Sequence, residues 1–246
     1  MSTSARRACR RNIAFAIAGV ALSACHKSGT AETANGSLAA AAPAPAQASA
    51  GAPAQHDSIT DLADQGRIIG SASAPVWIVE ASDFQCPYCK AFHDQTFPSL
   101  LHDYVATNKV RVAFLNFPLS MHRNSHQAAE AAMCASVQQH FWPMHDALFA
   151  TQDTWGELPD PLPVYDSLAR AVGVNEPEWK RCVTTHATLP LVQADYQRAQ
   201  QSGVQSTPTF FIGSSVIEGA QPYQEFRDTI ESVLRRTAAG SPAHKQ

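Results

Sequence analysis

The segment Cys86-Pro87-Tyr88-Cys89 restricts the fold more than any other part of this chain, because it sits between an apolar run and a helical pattern. Two cysteines separated by two residues can bridge with little backbone movement at the start of a helix. There, unpaired N–H groups and the helix dipole favour an anion at the first cysteine, which lowers its pKa. Pro87 suits the first helical position, where its missing N–H would have no partner. The expectation is an exposed nucleophile at Cys86 and a resolving thiol at Cys89, one turn inside.

The flanking sequence supplies the frame. Residues 67–70 form a short strand candidate, and the apolar run 76–81 after Pro75 forms a stronger one. Residues 87–106 carry Phe92, Phe97, Leu100, Leu101 and Tyr104 at helical spacing, with a kink expected at Pro98. Residues 110–116 read as the next strand, so a β-α-β unit holds the dithiol. A helix-rich stretch follows over about 122–202, with helices at 125–139, 141–150, 163–172, 176–184 and 189–202. Strands at 209–212 and 215–218 form a hairpin around Gly213-Ser214, and a helix over 222–236 closes the chain. This order predicts an α/β thioredoxin fold with a long helical insertion.

Two other uses of the dithiol compete with redox chemistry. A structural zinc site needs two further ligands at matching spacing, and the chain has no second CxxC. A purely structural bridge over so short a loop gains little from closure. The β-α-β context favours a redox pair. No cofactor is then required, since the thiols themselves carry the electrons.

The N-terminus reads as an export signal. Arg6, Arg7, Arg10 and Arg11 form a basic region, followed by a mostly apolar segment over 12–21 that is too short to span a bilayer. Leu22-Ser23-Ala24-Cys25 resembles a lipobox, making residues 1–24 a lipoprotein signal peptide and Cys25 the lipidated residue. Ordinary cleavage near Ala24 and an uncleaved anchor are the alternatives, and all three export the chain. Removal of residues 1–24 takes four Arg and leaves 14 basic against 21 acidic residues, a charge of −7. With no basic run in the body, a nucleic-acid surface is not expected. Residues 25–56 are rich in Ala, Pro, Ser, Gly and Gln and read as a flexible tether. The globular domain spans 57–240, and 241–246 is a disordered tail.

The run Glu80-Ala81-Ser82-Asp83-Phe84-Gln85-Cys86-Pro87-Tyr88-Cys89, with Gly203-Val204-Gln205-Ser206-Thr207-Pro208-Thr209-Phe210-Phe211-Ile212 far downstream, resembles the DsbA-like branch of the thioredoxin superfamily. The resemblance covers about residues 60–237. It implies a cis-proline at Pro208 opposite the dithiol, with the Thr207 backbone pairing to an extended substrate. Pro87 and Tyr88 join them as substrate contacts. Glu80 matches the family's buried acid, whose raised pKa would let it exchange protons with Cys89. Asp83 reads instead as a cap or flank of the turn.

The resemblance further implies exchange with unfolded or partly folded exported proteins and a membrane redox partner of the DsbB or DsbD type. The expected location is the periplasm, on a lipid anchor, as a monomer. Tyr88 departs from the His of the family's strongest oxidases and cannot supply its charge, which leaves the direction of electron flow open between oxidase and reductase or isomerase. A third reading, a Cu(I) metallochaperone using Cys86 and Cys89, has no Met-rich segment behind it.

Cys134 and Cys182 lie on separate helices of the insertion. An oxidising compartment favours a structural disulfide between them, with two buried free thiols as the alternative. His122, His126, His140 and His145 are read as surface or core histidines, and no metal site is expected.

Overall fold

The computed structural model describes residues 58–240. The expected signal segment over 1–24, Cys25, the expected tether over 25–56 and the residues 241–246 lie outside the described residues. Five strands form one sheet in the order β1-β3-β2-β4-β5. The central strands β2 (Val76–Ser82) and β3 (Val110–Asn116) run parallel, with Val76 opposite Val110 and Ser82 opposite Asn116. Strand β1 (Ile68–Ile69) adds to the outer side of β3, antiparallel. On the other side, β4 (Thr209–Ile212) pairs antiparallel with β2 and forms a hairpin with β5 (Ser215–Glu218). The hairpin turns at Gly213, whose φ of +60° is one that L side chains rarely adopt.

Side-chain alternation along the strands builds the first core. Val76, Ile78, Val110, Val112, Phe210 and Ile212 pack on Phe92 of α2 (Pro87–Gln95), Phe97 and Leu100 of α3 (Phe97–Leu100), and Phe226 and Ile230 of α10 (Tyr223–Gly240). The expected single helix over 87–106 is divided. Helix α2 ends at Gln95, Thr96 breaks it with φ −114°, and Pro98 lies in the first turn of α3. A proline four residues beyond Asp94 would clash with that carbonyl in a continuous helix, so the chain breaks instead of bending. A π-helical turn at Leu101–Val105 finishes the segment.

The insertion carries a second core. Helices α4 (Ser125–Ser136), α5 (Phe141–Ala150), α6 (Gln152–Trp155), α7 (Leu162–Val172), α8 (Glu176–Thr184) and α9 (Leu189–Gln201) bury Met133, Phe149, Trp155, Tyr165 and Trp179. Phe84 and Phe114, ring centroids 4.8 Å apart, carry this core up to the dithiol loop. Helix α1 (Ser58–Gly66), absent from the sequence reading, packs on α4. The Ser136 hydroxyl donates to the Ala63 carbonyl at 2.6 Å, and a Cβ on Gly66 would lie 2.4 Å from the Ser136 carbonyl oxygen. Just beyond α1, Arg67 forms a buried ion pair with Asp195 of α9, whose carboxylate also accepts from the Asn116 amide at 2.7 Å. Cys134 and Cys182 are joined in a disulfide that ties α4 to α8, with Cα atoms 5.8 Å apart.

Candidate active site

Cys86 is the residue before the first turn of α2 and has extended backbone angles (φ −71°, ψ 125°), and Pro87 opens the helix. Cys89 follows within that turn and is fully buried. Both are free thiols. Cys86 is more enclosed than expected, at 3% exposure, whereas the neighbouring Tyr88 is 66% exposed. The Cys86 thiol donates to the Thr207 carbonyl at 3.4 Å, and the Thr207–Pro208 bond is cis. Thus the loop before β4 faces the dithiol across 121 residues of sequence.

The two thiols titrate in opposite directions. The Cys89 thiol, donating to the Cys86 sulfur, does most to pull Cys86 down to about 6; burial opposes it. Thr207 and the N–H groups of Tyr88 and Cys89 add smaller support. The buried Thr207 hydroxyl has no fixed partner, which leaves its proton free to turn to the thiolate. Burial pushes Cys89 well above the ordinary thiol range, and the proximity of Cys86 pushes it further.

Glu80 lies on β2 between Phe114 of β3 and Phe210 of β4. Burial in that apolar setting raises its carboxyl to about 7, opposed weakly by Ser82 and His93. One of its oxygens is buried without a partner. Ser82, two residues on and on the same face, also acts on Cys89, so the acid, the hydroxyl and the inner thiol share one side of the strand.

Amide side chains hold the dithiol loop to the insertion. Gln85 Nε2 donates to the Gly156 carbonyl at 2.7 Å, and Gln85 Oε1 accepts from Asn124 N at 2.7 Å. Asn124 Nδ2 reaches the Trp155, Gly156 and Leu158 carbonyls at 3.0, 2.9 and 2.9 Å. Asp83 does flank the turn: Oδ1 accepts from Gln85 N, while Oδ2 accepts from Leu119 N and lies 2.7 Å from His122 Nδ1. Gln85, Pro87, His122, Gln152 and Glu157 border an open groove of about 320 Å³ beside the cysteines.

The sequence-predicted residues Cys86, Cys89, Pro87, Tyr88, Thr207 and Pro208 therefore converge, with Glu80 behind them. Cys134 and Cys182 bond to each other, and Cys25 is not described. The roles of Gln85, Asn124 and Gln152 escaped sequence reading: Gln85 lies in the quoted run, but an uncharged amide carries no sign of its partner, and these roles arise only where insertion meets loop. A low-pKa thiol beside a high-pKa thiol, with an open groove alongside, is suited to thiol–disulfide exchange.

Comparison with known proteins agrees. The Thioredoxin family model matches residues 62–232, and the chain belongs to that family as a DsbA-like thiol–disulfide oxidoreductase. It is 31% identical over 173 residues to disulfide bond formation protein D of Bacillus subtilis, covering 68% of this chain and 77% of that one. The crystal structure of oxidised BdbD from Bacillus subtilis superposes with a TM-score of 0.64 at 27% identity, covering 70% of this chain and 94% of that one. A Na(+)/H(+) antiporter NhaA 3 of Salinispora tropica is 32% identical over 74% of this chain, but the chain spans only 28% of that protein.

Proposed function

We propose that this chain is an exported dithiol oxidase that forms disulfides in unfolded or partly folded exported proteins. The opposed ionisation of Cys86 and Cys89 carries the reading. A stabilised Cys86 thiolate favours the reduced enzyme, which makes its disulfide a stronger oxidant.

In the proposed sequence a substrate thiolate attacks the Cys86 sulfur of the oxidised enzyme. The Cys86–Cys89 bond breaks, a mixed disulfide forms, and Cys89 leaves. Burial makes the Cys89 anion costly, so it takes a proton, and Glu80, with a pKa of about 7, is the acid placed to give it. A second substrate thiolate then attacks the substrate sulfur of the mixed disulfide, and Cys86 leaves as the thiolate. Two electrons pass from substrate to enzyme, and a membrane redox partner of the DsbB type removes them. Thr207 and Pro208 receive the substrate as an extended strand, flanked by Pro87 and Tyr88.

A reductase or isomerase served by a DsbD-type partner is the second reading, favoured by Tyr88, which brings no cation to the thiolate. Measuring the Cys86–Cys89 reduction potential and its redox state in cells separates them. A pair held oxidised supports the oxidase, and a pair held reduced would sink it.

Residues 1–24 serve as a lipoprotein signal and residues 25–56 as a tether, with Cys25 lipidated and the domain over 57–240 facing the periplasm. The basic, apolar and lipobox segments in succession support this. Among the described residues no helix is long and apolar enough to cross a membrane. Cys25→Ser should move the protein from the membrane to the soluble fraction; retention at the membrane would refute lipid anchoring.

A further inference from the structure

The exchange steps use neither His93, one turn beyond Cys89 on α2, nor His145 and Asp146 on α5. These three side chains nonetheless converge. His93 Nε2 lies 3.2 Å from Asp146 Oδ1, and His145 Nδ1 lies 2.8 Å from the same oxygen. One donor atom from each falls within 4.8 Å of the others. We propose that His93, His145 and Asp146 bind a divalent transition-metal ion of the zinc class at the seam between the dithiol helix and the insertion. The proposal does not depend on the direction of the redox reaction.

Ring placement supports the ion. The two imidazole centroids are 5.3 Å apart. Two imidazoles on one tetrahedral ion, with metal–nitrogen bonds of about 2.0–2.1 Å, hold their centroids about 5 Å apart. The ring centres thus already stand at the required separation. Binding asks the rings to turn their nitrogens to a common point and the Asp146 carboxylate to move off its direct contacts into the third position. That carboxylate is 59% exposed, so it has room to move and leaves a path for the ion and a water ligand.

The surroundings keep the two rings at the seam. His93 Nδ1 lies 2.8 Å from Asp94 Oδ1, and Lys90 Nζ donates to the other Asp94 oxygen at 2.7 Å. A carboxylate on the far nitrogen leaves Nε2 as the donor, the usual arrangement behind a metal-bound histidine. His145 is walled by the rings of Phe84, Phe97, Phe114, Trp142 and Phe149. Two nitrogen donors and one oxygen suit zinc better than calcium or magnesium, which prefer oxygen shells. An ion here would fasten α2 to α5.

The test uses the full chain with its dithiol oxidised and all remaining thiols alkylated, so that no sulfur competes. Cobalt(II) is titrated and followed by its visible absorption, then displaced with zinc. One equivalent should bind per chain in a tetrahedral site, at least tenfold more weakly in His93→Gln and Asp146→Asn, and unchanged in His140→Gln. In the unsubstituted protein, zinc should protect His93 from diethylpyrocarbonate, read by peptide mass mapping. The absence of saturable binding, equal affinity in the His93 and Asp146 variants, or unprotected His93 would each overturn the proposal. The last of these needs no variant to fold.

Discussion

Gln152, on a short helix of the insertion, donates from Nε2 to the Cys86 carbonyl at 3.1 Å, and the same nitrogen reaches the Phe84 carbonyl at 2.7 Å. One buried amide thus holds the backbone on both sides of Gln85. The insertion is a wall against which the dithiol loop is set, and the position of the Cys86 sulfur depends on it.

Gln152→Ala removes a donor from two carbonyls. Leaving a buried acceptor unpaired costs about 1–3 kcal/mol, and the adjoining groove lets water recover part of it. We expect a stability loss of about 2 kcal/mol by denaturant midpoint. The rate of exchange with a dithiol peptide should also fall. Unchanged stability and rate would show that the clamp does not position the loop.

Glu80→Gln should change stability in a pH-dependent way. The folded carboxyl titrates near 7, above its unfolded value of 4.5, so the folded state holds the extra proton between those two values. Stability due to this group is present below about 4.5 and is lost as pH rises through about 7. The full shift is worth at most on the order of 3 kcal/mol. Glu80→Gln should therefore be more stable than the parent at pH 8 and equal to it at pH 4, by thermal melting at both. It should also slow release of Cys89 from the disulfide by at least about tenfold near neutral pH.

Cys86 should react with iodoacetamide with a pH midpoint near 6, and Thr207→Val should raise that midpoint. Because the folded pKa is depressed, this thiolate contributes stability to the reduced protein above its unfolded pKa and loses it as pH falls through about 6. The reduced protein should therefore gain on the oxidised one between pH 5 and pH 8, measured by paired denaturant titrations. A gap that stays constant with pH would contradict a stabilised thiolate.

Cys134→Ala with Cys182→Ala opens a loop whose ends are 48 residues apart. Chain entropy sets the loss at about 4 kcal/mol, reduced by any residual structure in the unfolded chain. The denaturant midpoint should fall accordingly. The Cys86 alkylation midpoint should stay put, since neither bridge cysteine is among the groups that set the acidity of Cys86.

Much of the frame was legible because it is local. Periodicity placed β3 at Val110–Asn116, the hairpin strands at Thr209–Ile212 and Ser215–Glu218, and α5 at Phe141–Ala150, each bounded by turn residues or a change of period. Helix α1 was missed because it shows two exposed apolar residues, Ile59 and Leu62, and buries little besides Ala63. The break at Thr96 was placed two residues late, at Pro98, because a proline marks where a helix is stressed and not where the chain yields.

The sequence by itself determined that a dithiol opens a helix after a buried strand, since the spacing of Cys86 and Cys89 and the first-turn Pro87 are local facts. Only the tertiary structure decided that Thr207 faces the Cys86 sulfur, that Glu80 sits between two phenylalanines, and that Gln85, Asn124 and Gln152 clamp the loop. It alone brought His93 to Asp146 across 53 residues. Periodicity tells which face of an element is buried, but not which other element will cover it. That choice is made by packing, and desolvation and hydrogen bonding, which set the acidities at this site, follow from it.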